Sequence, residues 1–165
     1  MTNRNISYSG FLTLVSLWWG WTVLTDFFVV PTVFQTIHDF FNAGELGIAL
    51  FSRLNFLELI VSSLLVIICG LKLRTSKQLL IFFIPVLVCW MIVMFYFSYL
   101  TPKLVTLTDL WKEAEKAGVT SLGNIPDVQQ EHQFYHKLYI RIDSVKLIIL
   151  TILLGMGVFK QDKWS

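Results

Sequence analysis

The chain has 165 residues, of which 55% are hydrophobic and only 15% charged, and its net charge is +2. Its mean hydropathy is +0.66, whereas a soluble domain averages about 45–50% apolar even with glycine counted. These values exclude the polybasic footprint of a nucleic-acid binder. They leave room for a single domain (1–165) of four membrane spans with short connections.

The first apolar run, Phe11 to Ile37, is too long for a cleaved leader, carries Asp26 and Pro31, and has no small-residue cleavage site. It reads as a retained helix, tilted or kinked at Pro31. A polar, glycine-bearing stretch from His38 to Gly47 predicts the connection to a second span over 48–71. Lys72, Arg74 and Lys77 then mark a tight basic loop before a third span over 79–100. Pro85 is tolerable there because neighbouring helices satisfy freed backbone groups.

Thr101-Pro102 suits a helix start. Leu104, Leu107, Leu110, Trp111 and Ala114 follow as one stripe that Gly118 ends. This predicts a short amphipathic helix lying at the surface or folded back on the bundle. Residues 119–127 read as loop, and the last span covers 132–159. The expected fold is therefore all-α: an integral membrane four-helix bundle whose main partner is the lipid bilayer.

Lys and Arg placement sets the expected orientation. Arg4, Lys72, Arg74, Lys77, Lys160 and Lys163 fall at one end; the other has Lys103, Lys112 and Lys116 offset by five acidic residues. Both termini are expected to be cytoplasmic, in a bacterial inner membrane or its equivalent. Cys69 and Cys89 both lie inside apolar spans and read as buried small hydrophobes. A weak internal repeat is also visible. Pro31 and Pro102 occupy like positions, and Phe51-Ser52-Arg53-Leu54-Asn55-Phe56 aligns with Tyr135-His136-Lys137-Leu138-Tyr139-Ile140. Two parallel hairpins related by an axis along the membrane normal would produce this, as would coincidence.

Ionisable groups inside lipid are expensive and mark candidate sites. The spans carry Asp26, Arg53, Glu58, His136, Lys137, Arg141, Asp143 and Lys146, and the third carries none, which suggests that it faces lipid or another subunit. At about 1.5 Å per residue, Asp26, Glu58 and Lys146 share a level near the midplane. Opposite charges on separate helices would satisfy one another there. His132, His136, Tyr139, Asp143 and Lys146 step by four, three, four and three, so they share a helix face. Asn55, Glu58 and Ser62 share another. The candidate polar cluster is Asp26, Glu58, His136, Tyr139, Arg141, Asp143 and Lys146, read equally as a structural network or as a conduction or relay path. Arg53, near the surface, can simply snorkel.

His38, His132 and His136 map to the same end of the bundle, and an i, i+4 histidine pair with nearby carboxylates can hold a divalent metal. No other cofactor is predicted. No phosphate loop, nucleophile elbow or triad pattern is present, so nothing favours an enzyme. The tryptophans read as packing and interface anchors, with Trp18 to Trp21 around Gly20 suggesting close helix contact.

Trp19-Gly20, Val30-Pro31-Thr32-Val33-Phe34, Leu50-Phe51, Thr101-Pro102-Lys103 and Phe134-Tyr135-His136-Lys137-Leu138, taken in order, resemble the transmembrane protein 205-like family over nearly the whole chain. The resemblance implies four spans with a longer third connection, and a signature position at Phe134 and His136. It implies no reaction, although members have been connected with heavy-metal or drug resistance. The last span departs from the animal members in carrying Arg141, Asp143 and Lys146. The leading expectation is a non-enzymatic bundle that binds or moves a small solute or ion, as a homo-oligomer or with a membrane partner. The alternatives are a metal- or redox-linked protein using the histidines, and a structural accessory subunit.

Overall fold

A computed structural model describes residues 2–38, 40–73, 79–116 and 125–159, with side chains except at 2–7, 40–41, 115–116 and 125–126. All described elements are helical: α1 (Thr2–Leu24), a π-turn (Thr25–Val29), α2 (Val30–Thr36), α3 (Phe40–Leu73), α4 (Leu80–Phe95), a second π-turn (Tyr96–Leu100), α5 (Thr101–Lys116) and α6 (Ile125–Phe159). Among the described residues, four stretches are long and apolar enough to cross a membrane: Tyr8–Thr36, Asn42–Leu73, Leu80–Ala114 and Asp127–Phe159. The protein is thus a multi-pass membrane bundle. The start of α1 and the end of α6 lie at its proximal end, and the end of α2 and the start of α3 at its distal end. The basic residues that set the expected orientation lie largely outside the description: Arg74, Lys77, Lys160 and Lys163 entirely, and the side chain of Arg4.

The four spans share one packing pattern. Buried positions fall at Phe11, Val15, Trp18 and Thr22 in the first, and at Asn55, Glu58, Ser62, Leu65 and Cys69 in the second. The third buries Phe82, Val86, Cys89, Val93, Tyr96 and Leu100, and the fourth Tyr139, Asp143, Lys146, Leu150 and Leu153. Each series alternates steps of three and four, the seam of a left-handed bundle with knobs-into-holes packing. The third span, expected to face lipid or another subunit because it lacks charges, exposes Leu80, Ile81, Ile84 and Met91 on its outer side and also contributes a continuous seam to the core. α4 packs against both α3 and α6, and α1 against both α3 and α6, so the spans form a ring in chain order.

One expectation on helix bounds is corrected. The connection placed at 38–47 ends before Phe40, where α3 begins. A helix of 35 residues, such as α6, is about 50 Å long against a hydrocarbon core of ~30 Å. The polar ends are therefore helix that projects beyond the core. The short amphipathic helix expected after Thr101 is present as α5, and of its two expected placements it takes the one against the bundle. α5 continues the third span through the π-turn and packs on α6 and α3. Salt bridges from Lys103 to Glu131 (2.9 Å) and from Lys112 to Glu45 tie these extensions together.

Pro31 and Pro102 do not break their helices. Each stands one residue beyond a π-turn, which Val30 N–H closes by donating to Thr25 O and Thr101 N–H by donating to Tyr96 O. Proline lacks the donor an α-turn requires, and a π-bulge is one way to carry a helix past such a point. Close helix approach occurs at Gly157, not at Gly20. A Cβ on Gly157 would stand 2.8 Å from Leu12 Cδ1, whereas one on Gly20 would meet nothing within 4 Å.

Candidate functional site

The midplane of the bundle is a polar layer built from seam positions. Lys146 Nζ stands 2.7 and 2.9 Å from the two Glu58 carboxylate oxygens and 2.5 Å from Asp143 Oδ1. Glu58 Oε1 also accepts from Trp18 Nε1 at 2.9 Å and from Thr22 Oγ1 at 3.2 Å. Glu58 is 0% exposed and Lys146 1%, so both charges are out of water and depend on these partners. The Lys146 ammonium also lies 5.4 Å from the Tyr96 ring centroid, within cation–π range.

A neutral chain continues from this layer toward the distal end. Tyr96 stacks on Tyr139 with centroids 4.4 Å apart and an interplanar angle of 15°. Tyr139 Oη donates to Asn55 Oδ1 at 3.0 Å, and Asn55 Nδ2 donates to Thr101 Oγ1 at 2.8 Å. Asn55 and Tyr139 are the paired positions of the repeat noted in the sequence, and in space they touch.

Distal to the layer lies a cavity of about 620 Å³. The first span shapes it: α1 packs on α6, but beyond the π-turn α2 packs chiefly on α3. The wedge left between α2 and α6 is the cavity. Phe27, Val30 and Phe34 wall one side and Ile140, Ser144 and Leu147 the other. Gly44, Gly47, Ile48 and Phe51 line it from α3. Asp26, Asp143 and Tyr139 are its polar contributions near the midplane; Thr108, Trp111, His132 and His136 lie toward the distal end. Phe27, Phe34 and Ile140 are 62%, 43% and 52% exposed, so this wall is open at the side. Proximal to the polar layer the bundle is filled by Phe11, Val15, Phe82, Val86, Leu150 and Leu153, all fully buried.

Residues 13–113 match the family described as a domain of unknown function, DUF4149. The chain belongs to the DUF4149 family. Comparison with curated proteins and with solved structures finds no match. The matched region of this DUF4149 protein supplies Asp26, Glu58, Trp18 and Thr22. The ammonium that pairs with Glu58, Lys146, lies in α6 beyond the match.

Of the candidate cluster, the structure brings Glu58, Asp143 and Lys146 into contact, with Asp26 beside Asp143 at the cavity. Tyr139 is buried next to them, and His136 lies at the distal end of the same cavity. Arg141 and Arg53 are exposed, away from the layer. His132 and His136 stack with centroids 6.2 Å apart and an interplanar angle of 7°. Among the described residues, no group of three or more His, Cys, Asp or Glu side chains is arranged to hold a metal, and exposed His38 does not join the pair. Sequence reasoning missed Trp18 and Thr22 as partners of Glu58. Their spacing with Asp26, four and four, places all three on one face of the first span, the same signal that singled out α6.

Proposed function

We propose that this DUF4149 protein binds a small molecule with an apolar body, taken from the membrane through the gap between α2 and α6. The observation that carries this reading is the blind cavity. It is mostly apolar, open at the side, and closed at the midplane by a charged layer beneath which the core is filled. A concave, largely apolar space with few convergent polar groups is the usual form of a small-molecule site. A plugged proximal half favours binding over open conduction.

The Glu58–Lys146 pair reads as the structural part. Its donors and acceptors are satisfied within the bundle, so it holds the helices and closes the cavity floor. Asp26 and Asp143 read as the part that meets a ligand. One chain provides the whole cavity, so binding needs no second copy; transport would require a partner or a change of shape. We place the distal end on the outer side of a bacterial inner membrane or its equivalent, and read the chain as akin to the transmembrane protein 205-like family.

Photolabelling in proteoliposomes with a small neutral diazirine lipophile tests the reading. Labelling should concentrate on Phe34, Phe51 and Leu147 of the cavity, above lipid-facing Leu64, Ile67 and Ile148. Labelling at one uniform level over both sets would contradict it.

A further inference from the structure

The cavity floor is unbalanced in charge, and the imbalance has a definite position. Three carboxylates, Asp26, Glu58 and Asp143, gather around one ammonium. An ammonium has three donors. Those of Lys146 are accounted for by Glu58 Oε1, Glu58 Oε2 and Asp143 Oδ1, at 2.7, 2.9 and 2.5 Å. Asp26 takes none of them; its side chain hydrogen-bonds to that of Asp143, a contact that two carboxyl groups make only by sharing a proton. Among the described residues no ion pair reaches it, and its nearest charged neighbour is another carboxylate, that of Asp143. The Asp26–Asp143 pair with its shared proton, Glu58 and Lys146 together leave one negative charge unbalanced at the edge of an apolar space, and a positive charge beside the pair removes that penalty.

Resting on the reading of the cavity as a small-molecule site, we propose that its ligand is a lipophilic organic cation whose positive centre sits against Asp26 and Asp143. The body of such a ligand would lie distal to the carboxylates. There Phe27, Phe34 and Phe51 present aromatic surface and Leu147 aliphatic surface, which suits an apolar cation through both packing and cation–π attraction. A strongly hydrated metal cation fits poorly, because these walls offer little to replace its water. A lipophilic anion of the same shape would meet the carboxylates unfavourably. The site therefore selects by the sign of the charge and not by size alone.

The test uses two probes of one shape and opposite charge, tetraphenylphosphonium and tetraphenylborate, measured by equilibrium binding to the full chain in lipid nanodiscs. Wild-type protein should bind the phosphonium at least tenfold more tightly than the borate, after correction for empty nanodiscs. Asp26→Asn should weaken the phosphonium about tenfold, a loss of about 1.4 kcal/mol, and leave the borate unchanged. Asp26→Glu, which keeps the charge, should stay within about threefold of wild type. Asp26 takes none of the Lys146 hydrogen bonds, and an amide at position 26 still donates to Asp143, so these variants should keep the wild-type melting temperature, and that is checked first. Equal binding of the two probes, or phosphonium binding indifferent to Asp26→Asn, overturns the choice of a cation while leaving a lipophile site standing. Failure of both probes to bind, together with uniform photolabelling, overturns the site itself.

Discussion

Lys146 and Glu58 lie on helices that face one another diagonally across the bundle, yet the ammonium stands 2.7 and 2.9 Å from the two carboxylate oxygens. α3 and α6 are not close-packed neighbours. The pair spans the ring through its centre, with long side chains bridging where backbones do not meet. In lipid, apolar packing between helices gains little from the hydrophobic effect, since acyl chains are as apolar as leucine. Polar contacts across the centre therefore weigh more in choosing which faces meet.

Trp18→Phe should lower stability by about 2 kcal/mol. It removes a donor at 2.9 Å from a fully buried carboxylate, and hydrogen bonds to charged groups contribute about 1.5–3 kcal/mol. Thr22→Val should cost about 1 kcal/mol or less, because its hydroxyl is shared with Trp18 O and stands 3.2 Å from Glu58. Unfolding in mixed micelles would measure both. An equal loss for the two would mean that Glu58 does not distinguish them.

The bridge between Lys103 and Glu131 should matter little. Its side chains are 34% and 44% exposed, and exposed pairs contribute about 0–1 kcal/mol, reduced further by salt. Glu131→Gln should shift stability by less than about 1 kcal/mol, with the shift shrinking as salt is added to the same micelle assay.

Glycine substitutions should separate the close helix contact from the open one. Gly20→Ala should be neutral or stabilising by up to about 1 kcal/mol, through helix propensity alone. Gly157→Ala meets only the tip of Leu12, which can rotate away, so its effect should be small. Gly157→Phe cannot be relieved in that way and should destabilise by about 1–3 kcal/mol. Melting temperatures in one detergent would rank the three.

The spans and the polar faces of α3 and α6 were legible because seam spacing and apolar runs are written locally. Asp143 and Lys146 share a face for the same reason that Leu150 and Leu153 do. The core seam of the third span was less legible, because from Phe82 to Leu100 it is apolar or tyrosine and carries no charge to mark it. The π-turns were not legible: proline at 31 and 102 signals a missing donor but not how the helix accommodates it. Nor was the cavity, which exists because α2 parts from α6, a relation between distant segments that no local pattern records. Helix length was underestimated because polar residues were taken to end helices that in fact project past the hydrocarbon.

The central claim is that the charges of separate spans satisfy one another inside the bundle, and a double-mutant cycle on Glu58 and Lys146 tests it most directly. Glu58→Leu and Lys146→Met should each destabilise by about 3 kcal/mol, since each leaves a buried charge short of its partner. The double variant should lose much less than the sum, giving a coupling of about 2 kcal/mol or more. Additive losses, with coupling under about 0.5 kcal/mol, would contradict the account.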